Sequence, residues 1–228
     1  MKILTIPKES YLKVLEYNSH FTKAHLIDCV VNDAQWIERD DAEKDPNYLQ
    51  IIPYLLVLAE GKILVYERLN MGGESRLHGK KSIGVGGHID ELDIPKGDIQ
   101  TLPITSSTAH SYLGTPWDAV VIGAYRELQE ELNIEDTKEE ICINFSNYTI
   151  FDPSDEVGKV HLGIICTVDL NGRRIGIKEK GKLSGSLINV EDLETAIGID
   201  SDKFETWSKI TINNIHTILA DIEYEQRT

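Results

Sequence analysis

Residues 52–68, IPYLLVLAEGKILVYER, leave this chain little conformational choice. Two runs rich in β-formers flank Glu60-Gly61, and glycine supplies the positive φ that a tight reversal needs, so the stretch predicts a β-hairpin. SIGVGGHI, residues 82–89, reads as a further strand whose end is thinned by Gly84, Gly86 and Gly87. Strand-like runs recur at NYTIF (147–151), KVHLGIICTVDL (159–170) and GSLINV (185–190), with Asn171-Gly172 as a turn. Ahead of the hairpin, Ser10–Tyr17 reads as a short helix and HLIDCVV, residues 25–31, as a first strand. Two helices are expected to close the chain. In the longer one, Phe204, Trp207, Ile210, Ile215, Ile218, Leu219 and Ile222 recur at near-helical spacing, which we read as core packing.

A central helix begins cleanly. Thr115 suits an N-cap, Pro116 the first turn, and Asp118 stands three residues after the cap as a capping-box variant. Val121, Ala124, Tyr125, Leu128 and Leu132 form its apolar stripe, while Ala119 and Gly123 lie on the other side with room above them. Asn133 is expected to end the helix, because asparagine tolerates the left-handed conformation. Within this helix, RELQEELNI (126–134) places Glu127, Glu130 and Glu131 inside an arc of about 100°. Glu127 and Glu131 are an i,i+4 like-charge pair, which costs a few tenths of a kcal/mol when exposed and more where water is scarce. The stretch sets no lysine or arginine to relieve them, so either solvent or a bound cation must.

The formal net charge of −15 speaks against non-specific binding to nucleic acid or anionic membranes, both of which need clustered Lys and Arg, and it permits divalent cations. Cys29, Cys142 and Cys166 are widely spaced, odd in number and set in apolar strand-like surroundings, which suits buried free thiols in a reducing cytoplasm. The opening MKILTIPKES has too short an apolar run for a secretory signal, and no stretch approaches the 18 or so apolar residues of a membrane span. We therefore expect a soluble, cytoplasmic protein. With no repeat and no long linker, the chain reads as an N-terminal extension, residues 1–45, packed on one domain, residues 46–228. Residues 91–117, with three prolines and many Ser and Thr, read as an inserted loop.

The glycine-rich strand end GVGGHID, followed after a loop by AYRELQEELNI, resembles the Nudix hydrolase family. The family signature runs Gly, five residues, Glu, seven residues, Arg-Glu-apolar-x-Glu-Glu-x-Gly-apolar. Gly87, Arg126, Glu127, Leu128, Glu130, Glu131 and Ile134 match it. Residues 88–117 enlarge the gap, and two acids compete for the first glutamate: Asp93 has the spacing from Gly87, Asp118 the spacing from Arg126. Helical geometry sets Asp118 nearly opposite Glu127, which suits capping or arginine-orienting work. Asn133 stands where the family has its last glycine.

The resemblance implies an α/β fold, the Nudix-type α/β/α sandwich around a mixed β-sheet, and hydrolysis of a nucleoside diphosphate linked to another moiety. It implies Mg²⁺ or Mn²⁺ held by Glu127, Glu130, Glu131 and the Gly87 carbonyl, with Arg126 holding the glutamates in position. Hard cations of this kind prefer oxygen ligands and keep several waters. The catalytic set is then Glu130, Glu131 and Arg126, with Glu130 or the later Glu179 as general base. Arg68 and Arg76, in a locally basic loop with Lys80 and Lys81, are candidate substrate-binding residues; the alternative is a solvated loop. His88 and His161 in strand-like runs, and Cys166, are assigned no role. The expected partner is a small-molecule nucleotide or diphosphate substrate, with neither nucleic acid nor membrane, and with room for a homodimer. Two other readings stand beside this one: a catalytically inactive Nudix-like domain that senses a nucleotide metabolite, and an isomerase or phosphatase of the same fold acting on a non-nucleotide diphosphate.

Overall fold

The hairpin expected at Glu60-Gly61 organises the molecule. The computed structural model describes residues 1–17, 21–68, 79–95, 104–106, 114–135, 140–178 and 183–227. Strands β3 (Tyr48–Ala59) and β4 (Lys62–Arg68) pair Leu58 with Ile63 and Ala59 with Lys62. Glu60 (φ 53°) and Gly61 (φ 70°) both take the left-handed conformation, the type I′ geometry whose twist matches that of the strands. The Asn171 side chain accepts the Glu60 N–H, steadying the non-glycine residue of the turn.

Around β3 a mixed sheet assembles. Strand β10 (His161–Asp169) runs parallel to β3, from His161 opposite Gln50 to Asp169 opposite Leu58. Strand β9 (Ile141–Ile150) is antiparallel to β10, β12 (Leu183–Asn189) antiparallel to β4, and β7 (Ile104–Ser106) parallel to β9. The glycine-rich strand is two short pieces, β5 (Lys81–Ser82) on β4 and β6 (Gly84–Val85) on β3. Strand β1 (Lys2–Pro7) pairs with β3 and with β2 (Gln35–Glu38).

Alternation along β3 sends side chains to two cores. Leu49, Ile51, Leu55 and Val57 face helix α2 (Lys23–Asp33) and helix α4 (Pro116–Glu131), whose Trp117, Val120, Ala124 and Leu128 are buried there. Tyr54 and Leu56 face the opposite core, with Leu193 of α5 (Val190–Asp200), Ile212 of α6 (Thr206–Ile212) and Ile215, Ile218 and Ile222 of α7 (Ile215–Arg227). The architecture is an α/β/α sandwich around a mixed sheet, the fold class the resemblance implied.

Several local expectations are overturned. HLIDCVV lies in α2, where Leu26, Ile27 and Val30 at helical spacing are buried and Thr22 with His25 forms a capping box; cap and packing outweigh the strand preference of its β-branched residues. The closing helices number three among the described residues, because the run from Phe204 to Ile222 is broken at Asn213 and Asn214. There the Asn214 side chain donates to the Ile210 carbonyl (2.9 Å), competing with the helical backbone. The core role of that run holds, with Phe204, Ile212, Ile215, Ile218 and Ile222 all buried. The inserted segment is not all loop, since it contains a 3₁₀ turn at Glu91–Asp93 and the strand β7. Cys29 and Cys166 are buried free thiols, but Cys142 is exposed on β9. No helix among the described residues is long and apolar enough to cross a membrane.

The first 45 residues share the first core. Leu4 and Ile6 of β1, Tyr11 of α1 (Lys8–Tyr17) and the buried side of α2 contact the residues that α4 packs against. Leu4 also donates its N–H to the Ile89 carbonyl (2.8 Å), and Ile3 bridges to Asp90, so β1 supports the segment that follows the double glycine.

Candidate active site

The site is built where β6 ends against α4. A Cβ on Gly86 would lie 2.2 Å from the Pro53 carbonyl, and one on Gly87 would lie 2.3 Å from the Glu127 carboxylate. Close approach, rather than an unusual φ, therefore requires these glycines. The recess at Gly87 is filled by Glu127, whose side chain is only 13% exposed.

Arg126 is the hub. Its Nε and Nη2 donate to the two oxygens of Asp93 at 2.8 and 2.9 Å, a bidentate pair in which Asp93 is 2% exposed and Arg126 25%. Nη2 also donates to the His88 carbonyl (2.8 Å), and Nη1 to Glu127 Oε1 (2.7 Å), with Glu130 Oε1 at 3.4 Å. These contacts, led by the hydrogen bonds to Asp93, hold the guanidinium charged far beyond its ordinary range. Asp93 is itself fixed by accepting the Asp90 N–H (3.0 Å) inside the 3₁₀ turn.

The three glutamates are thus not left without a basic neighbour, contrary to the sequence reading. Arg126 sits beside Glu127 in the chain and one helical turn before Glu130, and its fork reaches both. Relief is incomplete. Burial pushes the Glu127 carboxyl up, Arg126 pulls it down, and the charges of Glu130 and Asp93 push it up further. Glu130 is 60% exposed, at the open side of the site, and Glu131 is half-buried on the last turn of α4.

The two acids that competed for one role have separate ones. Asp93 holds Arg126. Asp118, also buried, closes the capping box with Thr115 by accepting the Gly114 and Thr115 N–H groups. The space expected over Gly123 is occupied, since a Cβ there would lie 2.5 Å from Ile89 and 2.9 Å from Asp93. The helix does not end on a left-handed Asn133. Leu132 is already extended (φ −118°, ψ 141°), and β8 (Leu132–Ile134) pairs with β11 (Ile175–Ile177), setting Asn133 opposite Gly176. Lys178 donates its backbone N–H to the Glu131 carbonyl (2.9 Å), covering the helix end.

Of the remaining candidates, Arg76 and Glu179 lie outside the described residues, as does the side chain of Arg68, whose backbone pairs with Leu183. His88 and His161, given no role from sequence, come together: their Nε2 atoms are 3.2 Å apart, and His88 Nε2 is 2.8 Å from Gln50 Oε1. They are 73 positions apart, and only the parallel pairing of β3 with β10 sets His161 beside Gln50. The one local signal was the place of His88 directly after the box glycine.

No model of a known protein family matches the chain. Among curated proteins it is 32% identical over 180 residues to protein YmaB of Bacillus subtilis (strain 168), spanning 78% of this chain and 76% of that protein. Among solved structures it overlays on the crystal structure of Tm1382, named as a candidate Nudix hydrolase, with a TM-score of 0.68 and 26% identity, covering 94% of this chain and 98% of the other. Both chains superpose over nearly their whole length, and Gly87 and the Arg126–Glu131 stretch, far apart in this sequence, meet at one strand end and one helix. The chain belongs to the Nudix hydrolase family.

Proposed function

We propose that the chain is a divalent-metal-dependent pyrophosphohydrolase acting in the cytoplasm on a nucleoside diphosphate linked to a second group. The observation that carries this reading is the largely buried Glu127 carboxylate, seated in a recess that only glycine at 87 leaves open and fixed beside Glu130 by an arginine clamped by Asp93. In chemistry the donor set fits Mg²⁺ or Mn²⁺, although among the described residues the three carboxylates do not all lie within 4.8 Å of one another, so Glu130 or Glu131 must turn inward to bind. Glu127, Glu130, Glu131 and the Gly87 carbonyl offer oxygen alone, as hard cations prefer, and a positive ion would relieve the charge that burial penalises at Glu127. When bound, such an ion polarises phosphate oxygens and makes water more acidic.

The chain's own residues supply the rest. Arg126 is a positioning residue: with its fork committed to Asp93 and the His88 carbonyl, its remaining nitrogen orients Glu127. Glu130, exposed and one turn further on, is proposed to accept a proton from the attacking water at its carboxylate; Glu179 is the alternative base. Arg68 and Arg76 are proposed to meet the substrate phosphates. The free cysteines agree with a reducing compartment.

The test is a hydrolysis screen over dinucleotides, nucleotide sugars, ADP-ribose and nucleoside triphosphates with Mg²⁺ and Mn²⁺, repeated with Glu130→Gln and Glu131→Gln. Turnover should require the metal and fall by about 100-fold or more in each folded variant, the scale of a lost acid–base or ligand group. Full activity in either variant removes the assignment. Tight nucleotide binding without hydrolysis by the wild type would favour a sensor.

A further inference from the structure

We infer a second metal site, separate from the box glutamates and of different chemistry, formed by Glu43, His88 and His161 and suited to Zn²⁺ or a similar transition ion. One ligand atom from each of these residues lies within 4.8 Å of the others. The Nε2 atoms of the two histidines are 3.2 Å apart, close to the roughly 3.3 Å that two nitrogens about 2.05 Å from a tetrahedral zinc must keep. His161 Nδ1 is 2.7 Å from the Val157 carbonyl, a contact in which only the ring can donate, so its proton sits on Nδ1 and the Nε2 lone pair points at His88. That arrangement, a backbone carbonyl fixing the far nitrogen, is how metal-binding histidines are usually oriented.

Two further observations point to a ligand here. Gln50 is fully buried, and because its Oε1 can only accept, His88 carries its proton on Nε2, shared between Gln50 Oε1 (2.8 Å) and the His161 lone pair. That proton must move to Nδ1 or be released for Nε2 to take an ion, while the Gln50 Nε2 finds no hydrogen-bond partner and leaves the polar chamber partly unsatisfied. Glu43 stands at the chamber's open side and brings the negative charge a dication needs. Two imidazoles and one carboxylate select borderline transition ions over Mg²⁺, whereas the box offers oxygen alone. Arg39 opposes occupancy, because its Nε lies 3.5 Å from Glu43 Oε1 and its charge is felt at His88. Glu43 must leave Arg39 to bind the ion. A filled site would tie the segment after α3 (Arg39–Ala42) to the start of β10 and to His88, whose carbonyl holds Arg126.

The experiment is competition between the chelator-treated full chain and a chromophoric chelator for Zn²⁺, in excess Mg²⁺, with Co²⁺ as a spectroscopic probe. The wild type should take up one equivalent and give the visible bands of a four-coordinate Co²⁺ site. His161→Asn and the exposed-site variant Glu43→Gln should each weaken uptake by about 10- to 100-fold, the usual effect of disturbing a metal's ligand shell. Glu130→Gln should leave it unchanged, and Arg39→Ala should strengthen it a few-fold. Circular dichroism checks folding, and Glu43→Gln keeps the test decisive if His161→Asn unfolds. Absence of uptake by the wild type, or uptake lost in Glu130→Gln and retained in Glu43→Gln, overturns the inference.

Discussion

Gly86 and Gly87 are adjacent, and a methyl group at either would collide at nearly the same distance, but with different neighbours. At Gly86 the obstacle is the Pro53 carbonyl of β3, backbone that cannot yield without distorting the sheet. At Gly87 it is the tip of Glu127, a side chain that can swing away. Gly86→Ala should therefore cost roughly 1–3 kcal/mol or more, the scale of overpacking, and lower Tm by about 2–4 °C per kcal/mol. Gly87→Ala should melt within a few degrees of the wild type and yet lose about 10-fold or more in metal-dependent turnover and in Mn²⁺ affinity by calorimetry. A Gly86→Ala protein that melts with the wild type, or a Gly87→Ala protein with undisturbed Mn²⁺ binding, would contradict this division of labour.

At the scale of elements, α4 begins by local chemistry and ends by tertiary pairing. The family's glycine at the helix end is Asn133 here, and the chain has no use for a left-handed residue there because it enters β8 directly. Asn133→Gly, though it restores the family pattern, should destabilise the protein by roughly 0.5–1 kcal/mol in denaturant unfolding, the entropic penalty of glycine in a strand, with no gain in turnover. A stabilised variant would mean that the helix end prefers the left-handed form. The same contrast explains what could be read in advance. The Glu60-Gly61 hairpin and the Thr115–Asp118 cap depend on residues within a few positions of one another and were legible. The end of α4 was not, because β11 and Lys178 lie more than forty residues onward. HLIDCVV misled because propensity is a weak prior against a cap and a buried face. Asp93 and Asp118 could not be separated by spacing, since the choice depends on how Ile89–Asp93 folds back over Gly123. The pairing of Arg126 with Glu130 was visible at i,i+4. The His88–His161 contact had no sequence signal beyond the place of His88 directly after Gly87.

The whole molecule couples its first 45 residues to the site. Strand β1 is hydrogen-bonded to β3, its Leu4 and Ile6 are fully buried in the core that α4 completes, and its Leu4 N–H and Ile3 bridge hold Ile89 and Asp90. Those two residues lead into the 3₁₀ turn that presents Asp93 to Arg126. If this chain of contacts is physical, shortening one side chain in β1 should be felt both in stability and at the box. Leu4→Ala should cost about 2–5 kcal/mol, as a fully buried leucine does when its cavity cannot collapse. Deleting residues 1–45 should remove an entire wall of the first core and leave β3 with a bare edge, a recognised route to aggregation. The expected result is a cooperative melt at lower temperature for Leu4→Ala and none for the truncated chain, followed by circular dichroism and tryptophan fluorescence. A truncated protein that remains monomeric, melts cooperatively and keeps metal-dependent turnover would show that the first 45 residues are an accessory to the domain instead of part of its core.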